Sequence, residues 1–233
     1  MMPQRILTRK FIPHVLGCEG AGLGSGKTIT LVAFAYLAYE MGREVFTNIS
    51  SLKFEHRDFY EEILPNLDAM LSGEMEQPSN AFYGLDDVNK IWESRRAMGA
   101  MEMKMSHFIQ DVRKSGSMCM FSAPDRMWAD VRLWDLIDLM VIASFDEETN
   151  TLYWTVYDPW ARTIVNRLEF DAKPLFDLYD TLEKIRTPLP EQKLGIEHDD
   201  QRTCPECGSK GRYSFRAKEF RCECGNTWRK KKR

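Results

Sequence analysis

No apolar run in this chain approaches the roughly 18 residues that a membrane-spanning helix needs. The longest, Ile29 to Tyr39, reads as a buried helix packed on a sheet. No continuous apolar segment precedes Gly17, so no signal peptide is expected. Histidine is scarce, and His14, His56 and His107 form no paired ligand or nucleophile pattern, which leaves them without assigned chemistry. Cysteine is nearly absent before the C-terminal region. Cys18 and Cys119 read as small buried strand residues, which excludes a disulfide framework there. Long-period repeats are missing, and the basic C-terminus is the sole low-complexity tract. These absences leave a soluble intracellular protein as the expectation. With 233 residues, 43% of them hydrophobic, the chain can hold one α/β domain and a small appendage. The methionines between Met98 and Met120 alternate with charged residues and read as adaptable packing.

Charge is unevenly spread. From Arg202 to Arg233, eleven Lys/Arg face Glu206, Glu219 and Glu223, a balance of +8 that leaves −11 on residues 1–201. The end, Arg229-Lys230-Lys231-Lys232-Arg233, either attracts nucleic acid or serves as a solubilising terminus.

The chain's most specific feature is Ala21-Gly22-Leu23-Gly24-Ser25-Gly26-Lys27-Thr28, which reads as a Walker A loop. Polyphosphate needs closely packed backbone N–H donors, and glycines let the chain curl around it. Gly22, Leu23, Gly24, Ser25, Gly26, Lys27 and Thr28 are the expected nucleotide contacts. Lys27 would reach the β- and γ-phosphates, and the Thr28 hydroxyl would complete a Mg²⁺ shell. A chance Gly-rich turn is the alternative. Context opposes it: Val15-Leu16-Gly17-Cys18 reads as an entering strand, and Ile29 to Met41 as a departing helix stopped by Gly42.

Further strands are expected at 44–49, 81–85, 118–121 and 139–143, alternating with helices through Trp92 and from Lys104 to Lys114. That alternation predicts a mostly parallel sheet covered on both faces. Residues 50–80 carry few repeats of either period. Beyond Phe145 an antiparallel hairpin is expected, turning at 147–150, with another strand over 162–170. Residues 187–201 read as a linker. The expected organisation is an ATPase-type domain over 1–186, the linker, and a small domain over 202–233.

Asp86, at the end of the apolar strand 81–85, is the Walker B candidate for holding Mg²⁺ with Thr28. Asp87 stands where a water-orienting carboxylate would sit. An Asp-Asp helix cap remains the alternative reading. Of Arg95, Arg96, Arg113, Arg126 and Arg132, the leading candidates for a charge-stabilising arginine are Arg113 and Arg132, and sequence does not choose between them. Cys204-Pro-Glu-Cys207 and Cys222-Glu-Cys224 resemble two zinc-ribbon knuckles, the second one residue short. Zn²⁺ on Cys204, Cys207, Cys222 and Cys224 is expected; His198 could substitute in a mixed site, but reads better as a solvated linker residue. Such a closed site suits DNA contact or protein docking rather than catalysis.

The order of these motifs resembles the FtsK–HerA group of P-loop ATPases, especially its small viral genome-packaging and Zot-like members. The resemblance spans about Val15 to Glu183. It rests on Gly22-Leu-Gly-Ser-Gly-Lys-Thr28, Phe46-Thr-Asn48, Leu85-Asp86-Asp87 with Trp92-Glu-Ser-Arg95, and Phe108-Ile-Gln-Asp-Val-Arg113-Lys114. Phe176-Asp-Leu-Tyr179-Asp180-Thr181-Leu-Glu183 is similar to the group's closing segment. It implies a P-loop (RecA-like) fold, ATP and Mg²⁺ as cofactors, and a self-assembled ring, expected as a hexamer, completed by a neighbour's arginine. The implied activity is ATP-driven translocation of double-stranded DNA in genome packaging, in the host cytoplasm or at a virion vertex with capsid or portal proteins. A nucleotide-gated assembly or secretion ATPase, or a non-hydrolysing ATP- and DNA-binding protein, are the alternatives. Two departures stand out: Asp87 replaces a Glu, and Phe121-Ser122-Ala123-Pro124 lacks the group's usual polar sensor, so that either Ser122 does that job or γ-phosphate sensing is altered.

Overall fold

In a computed structural model, the residues described are 13–20, 22, 24–90, 100–124 and 131–181, followed by 206–207, 212–214, 219–222, 224 and 226–228. The chain divides into two compact units, Met1–Pro188 and Leu189–Arg233.

The first unit is built on alternating strands and helices. Its elements in chain order are β1 (Val15–Gly20), α1 (Lys27–Glu40), β2 (Glu44–Thr47), β3 (Arg57–Asp58), α2 (Phe59–Glu62), α3 (Leu67–Ser72), β4 (Ala81–Leu85), α4 (Ala100–Val112), β5 (Met118–Ser122) and α5 (Val131–Trp134). Then come β6 (Leu139–Asp146), β7 (Thr151–Asp158), β8 (Thr163–Asp171) and α6 (Lys173–Phe176). The eight strands form one sheet in the order β3-β2-β4-β5-β1-β6-β7-β8. Strands β3 through β6 in that order are parallel, and β6-β7-β8 are antiparallel. The protein is therefore a mixed α/β fold on a mostly parallel sheet with flanking helices.

Central strands have apolar side chains on both faces, as parallel strands covered twice require. All five residues of β4 are buried. Val15, Phe46, Tyr83, Cys119 and Phe121 pack on one side with α4 residues Met105, Phe108, Ile109 and Val112. Leu16, Cys18, Val45, Phe82 and Met120 face the other side, against Leu31, Val32, Ala35 and Ala38 of α1. Helix α1 stops where expected. Gly42 adopts φ +73° and the Arg43 N–H reaches back to the Ala38 carbonyl at 3.0 Å, a glycine-type helix end.

Residues 50–80 are more ordered than their weak periodicity suggests. β3, α2 and α3 are each under two turns long, too short for a repeating pattern. Phe59, Ile63 and Leu67 nevertheless follow helical spacing and are 0–2% exposed, and the Asp58 carboxylate caps α2 by accepting from the Tyr60 N–H at 2.7 Å. After β4 the described part of the expected helix is one 3-10 turn, Val88–Lys90; its continuation to Trp92 lies outside the described residues. The 147–150 turn joins β6 to β7, with Asp146 pairing Thr151. The Trp154 indole N–H on β7 donates to Thr30 Oγ1 at 2.8 Å, pinning this hairpin to α1.

The second unit carries a three-stranded antiparallel sheet, β11-β10-β9, from Arg212–Ser214 (β9), Glu219–Arg221 (β10) and Thr227–Trp228 (β11). The expected linker falls outside the described residues. Among the described residues, no helix is long and apolar enough to cross a membrane.

Candidate functional site

Strand β1 lies between β5 and β6 and delivers the chain to the carboxyl edge of the sheet, where open α/β folds place their ligands. The loop from there to α1 turns on glycine. Gly22, Gly24 and Gly26 adopt φ +91°, +74° and +89°, a region that side chains with a Cβ rarely enter. Helix α1 then starts at Lys27 with no side-chain cap and no acidic residue in its first turn. Its leading N–H groups and dipole are thus left to an anion. Ala21 and Leu23 lie outside the described residues.

Lys27 is 8% exposed. Its ammonium donates to the Gly22 carbonyl at 2.7 Å and to Ser25 Oγ at 3.0 Å. Ser25 Oγ also donates to the Gly22 carbonyl. One residue on, the Thr28 hydroxyl donates to Asp86 Oδ2 at 2.7 Å, joining residues 58 positions apart. The Ser122 hydroxyl, at the end of β5, donates to Asp86 Oδ1. Burial pushes the Asp86 carboxyl above its ordinary value, the two hydroxyls pull it back, and the Asp87 charge adds to the rise. Asp87 takes φ +49°, and its N–H donates to Ser122 Oγ at 3.1 Å. Ser122 is thereby committed to both aspartates, bracing the Asp86 carboxylate and the Asp87 backbone.

A residue that motif reading did not single out as functional holds Asp86 from behind. Asn48, just past β2 and 2% exposed, pairs its amide with the Asp86 backbone. Nδ2 donates to the Asp86 carbonyl at 2.7 Å, and Oδ1 accepts the Asp86 N–H at 2.8 Å. Nδ2 also donates to the Tyr60 hydroxyl at 3.2 Å. The available signal was a polar amide directly following a buried strand that neighbours the Asp86 strand. Asn48→Ala is expected to cost about 2–4 kcal/mol in denaturant unfolding, because it leaves two buried backbone groups unmade. Mg²⁺ binding at Thr28 and Asp86 should weaken more than nucleotide binding, since the pair orients the carboxylate. Equal changes in both would mean that the amide only supports the fold.

Around these groups lies a cleft of about 740 Å³. It is lined by Gly24 to Ile29, Ile49, Asp86, Asp87 and Pro124, together with Phe145, Glu147, Phe176, Tyr179, Asp180 and Thr181. Phe145 and Phe176 meet edge to face with centroids 5.8 Å apart. The segment after α6 is tied beside β2, with the Lys53 N–H on the Leu178 carbonyl and the Asp180 N–H on Ser51 Oγ. Burial, then the Asp86 charge, raises the Tyr179 phenol to about 12. An apolar wall beside a phosphate-type loop suits a flat aromatic base and its sugar. The Thr28 hydroxyl and Asp86 carboxylate supply the hard oxygens that Mg²⁺ takes.

The expected arginines are not gathered here. α4 runs back to the amino edge of the sheet, so Arg113, just past its end, pairs there with Asp138. The same Asp138 carboxylate accepts the His14 and Val15 N–H groups at 2.9 and 3.0 Å, at the start of β1. Helix direction holds Arg113 at the edge away from this chain's own cleft. Arg132 sits on α5, half-buried, and does not line the cleft. Arg95, Arg96 and Arg126 lie outside the described residues. In the second unit the Cys207, Cys222 and Cys224 sulfurs lie within 4.8 Å of one another, close enough for one metal ion. Cys204 and His198 lie outside the described residues.

The chain matches no protein-family model and no curated protein sequence. Among solved structures it is similar to the N-terminal domain of zonular occludens toxin from Neisseria meningitidis, at 18% identity over 72% of this chain and 100% of that one, with a TM-score of 0.54. It is also similar to the genome packaging NTPase B204 from Sulfolobus turreted icosahedral virus 2. That protein's sulfate complex aligns at 11% identity over 66% and 95% of the two chains, TM-score 0.45. Its ATP-gammaS complex aligns at 10% identity over 66% and 96%, TM-score 0.43. The likeness to the toxin domain is one of fold.

Proposed function

We propose that this chain is a P-loop ATPase that moves double-stranded DNA, working as a viral genome-packaging motor. The observation that carries the ATPase part is the Thr28–Asp86 hydrogen bond of 2.7 Å, which brings the Walker A hydroxyl and a buried strand-end carboxylate together at the open end of α1. The DNA and packaging part is supported by the order of motifs along the chain.

On binding ATP, the loop N–H groups and the α1 N-terminus would take the phosphates. Lys27 would trade its contacts with Gly22 and Ser25 for the β- and γ-oxygens, a small swing for a side chain already in the loop. Thr28 and Asp86 would hold Mg²⁺, whose charge, when bound, offsets that of the transferring phosphate. Phe145, Phe176 and Tyr179 would border the base. Asp87 would orient the attacking water, with its backbone set by Ser122. An arginine from a neighbouring copy would complete the charge clamp in a ring, proposed as a hexamer, with Arg113 and Arg132 as the leading candidates beside Arg95, Arg96 and Arg126. Cys204, Cys207, Cys222 and Cys224 would bind Zn²⁺, and the basic C-terminus of that unit would contact DNA or a capsid or portal protein.

Hydrolysis by the purified full chain, with and without double-stranded DNA and beside Lys27→Ala, tests this reading. DNA-stimulated turnover that falls about 100-fold or more in Lys27→Ala supports it. Turnover indifferent to DNA points instead to an assembly or secretion ATPase. Tight ATP binding without turnover points to a non-hydrolysing binding protein.

A further inference from the structure

The eight-stranded sheet ends at β8, an edge strand nine residues long with almost every residue exposed. Edge strands carry a row of unpaired N–H and C=O groups, which proteins protect with shortness, proline, charged side chains or bulges. β8 is long, and Thr163-Ile-Val-Asn-Arg-Leu-Glu-Phe-Asp171 contains no Lys and no Pro, which leaves one bulge and charges of both signs along the edge. Ile164, Val165 and Leu168 are 51%, 57% and 42% exposed. A bulge at Val165 interrupts the pairing with β7, since Val156 pairs Asn166 while Tyr157 pairs Ile164. Beyond it the strand is regular from Asn166 to Asp171.

The charges on this edge are arranged to complement themselves. Arg167 precedes Glu169 and Asp171, so an antiparallel copy presents acid opposite base. A two-fold axis perpendicular to the sheet keeps like faces together and pairs residues of the same parity. Centred on Arg167, the pairing sets the two arginines face to face; centred on Glu169, it sets Arg167 opposite Asp171 twice but the two Glu169 side chains against each other; centred on Asn166, it sets Arg167 against Val165. Centred on Leu168, it places Arg167 opposite the second copy's Glu169 twice over, with Leu168 meeting its own counterpart. The Arg167 N–H is capped by Asn166 Oδ1 at 2.8 Å, so this donor turns outward from the ladder rather than toward β7. Residues 167 and 169 are then the pair that would exchange backbone hydrogen bonds across the axis.

We propose that β8 pairs antiparallel with β8 of a second copy of this chain, in the register centred on Leu168, to form a two-fold dimer with one continuous sheet. Asn166 gives up its cap as the strands meet. No residue of β8 lines the cleft, so the contact leaves nucleotide access unchanged. It is an isologous contact that closes at two copies, separate from the head-to-tail contact a ring requires. It does not depend on the ATPase reading.

The test is sedimentation of the full chain without nucleotide or DNA, for Arg167→Glu, Glu169→Arg and their equimolar mixture. Both side chains are exposed, so folding should be unaffected, and unchanged nucleotide binding checks this. The wild type should dimerise, and each variant should weaken the dimer about tenfold or more, because each sets two like-charge pairs opposite one another. Mixing the two should restore dimerisation through heterodimers, since every pair then regains opposite charge. A monomeric wild type, single variants that dimerise as well as it does, or a mixture that stays dissociated would each overturn the proposal. The last would mean that something other than a second β8 covers this edge.

Discussion

Asp86→Asn is expected to lower ATP turnover by about 100- to 1000-fold, and yet to raise the melting temperature of the protein without nucleotide or metal. Both effects come from one placement. The Asp86 carboxyl is 2% exposed, and its two oxygens receive the Thr28 and Ser122 hydroxyls. Burial is the largest influence on it and raises its pKa. A carboxyl whose folded pKa lies above its unfolded one contributes stability that is fully present below the unfolded value. That contribution is lost as pH rises through the folded value. Above the ordinary carboxylate range the ligand-free protein therefore bears a cost for burying this group, and the amide relieves it while keeping the shape. Both hydroxyls can reorient to serve Asn, so the network survives. The charge needed for the metal and the phosphates does not. Thermal unfolding in chelator at pH 7 and pH 5, with turnover measured alongside, checks this. The stability gap should narrow as pH falls toward the ordinary carboxylate range, where the raised folded value no longer separates the two states. A variant less stable than wild type at pH 7 would mean that the two hydroxyl bonds outweigh the burial.

Gly26→Ala should be the most damaging of the loop-glycine substitutions. Gly26 has φ +89°, and a Cβ there would lie 2.6 Å from Leu152 Cδ1 and 3.1 Å from Phe145 Cβ. The left-handed backbone alone costs an alanine about 1–2 kcal/mol. The Leu152 contact adds to it because Leu152 is fully buried under the hairpin and has little room to give. A Cβ at Gly22 meets nothing within 4 Å, and one at Gly24 comes no nearer than 3.7 Å to Glu147. Those two positions share the backbone strain without the collision. A total of about 2–4 kcal/mol at Gly26, drawn from the loop geometry that binds phosphate, is about 30- to 1000-fold in nucleotide affinity. Gly22→Ala should lose about 30-fold or less by the same conversion. Titration with a fluorescent ATP analogue decides the order. Equal losses at the two positions would show that the hairpin moves aside and that only the backbone conformation matters.

Much of the fold was open to a reading of the chain because its signals are local. The Gly-rich loop, the apolar helix after it, the stop at Gly42 and the turn between β6 and β7 each declare themselves within a few neighbouring residues. Parallel order was legible too, since buried strands of four or five apolar residues separated by helices have few other arrangements. Residues 50–80 were not: Phe59, Ile63 and Leu67 keep helical spacing, but across pieces too short to show a period.

What sequence alone determined here is the chemistry on offer: a phosphate-type loop, a strand-end Asp-Asp pair, clustered cysteines and a basic end. Which of those groups meet was decided only by tertiary structure. Asn48 grips Asp86 across 38 residues, Ser122 reaches it across 36, and Tyr179 closes the cleft from far along the chain. Arg113, equally eligible by motif, is carried by α4 to the opposite edge and bound to Asp138. The physical reason is that a strand or a helix fixes a residue's neighbours only over a few positions. The order in which strands lie side by side fixes which ends come together, and hydrogen bonds between those ends depend on that order.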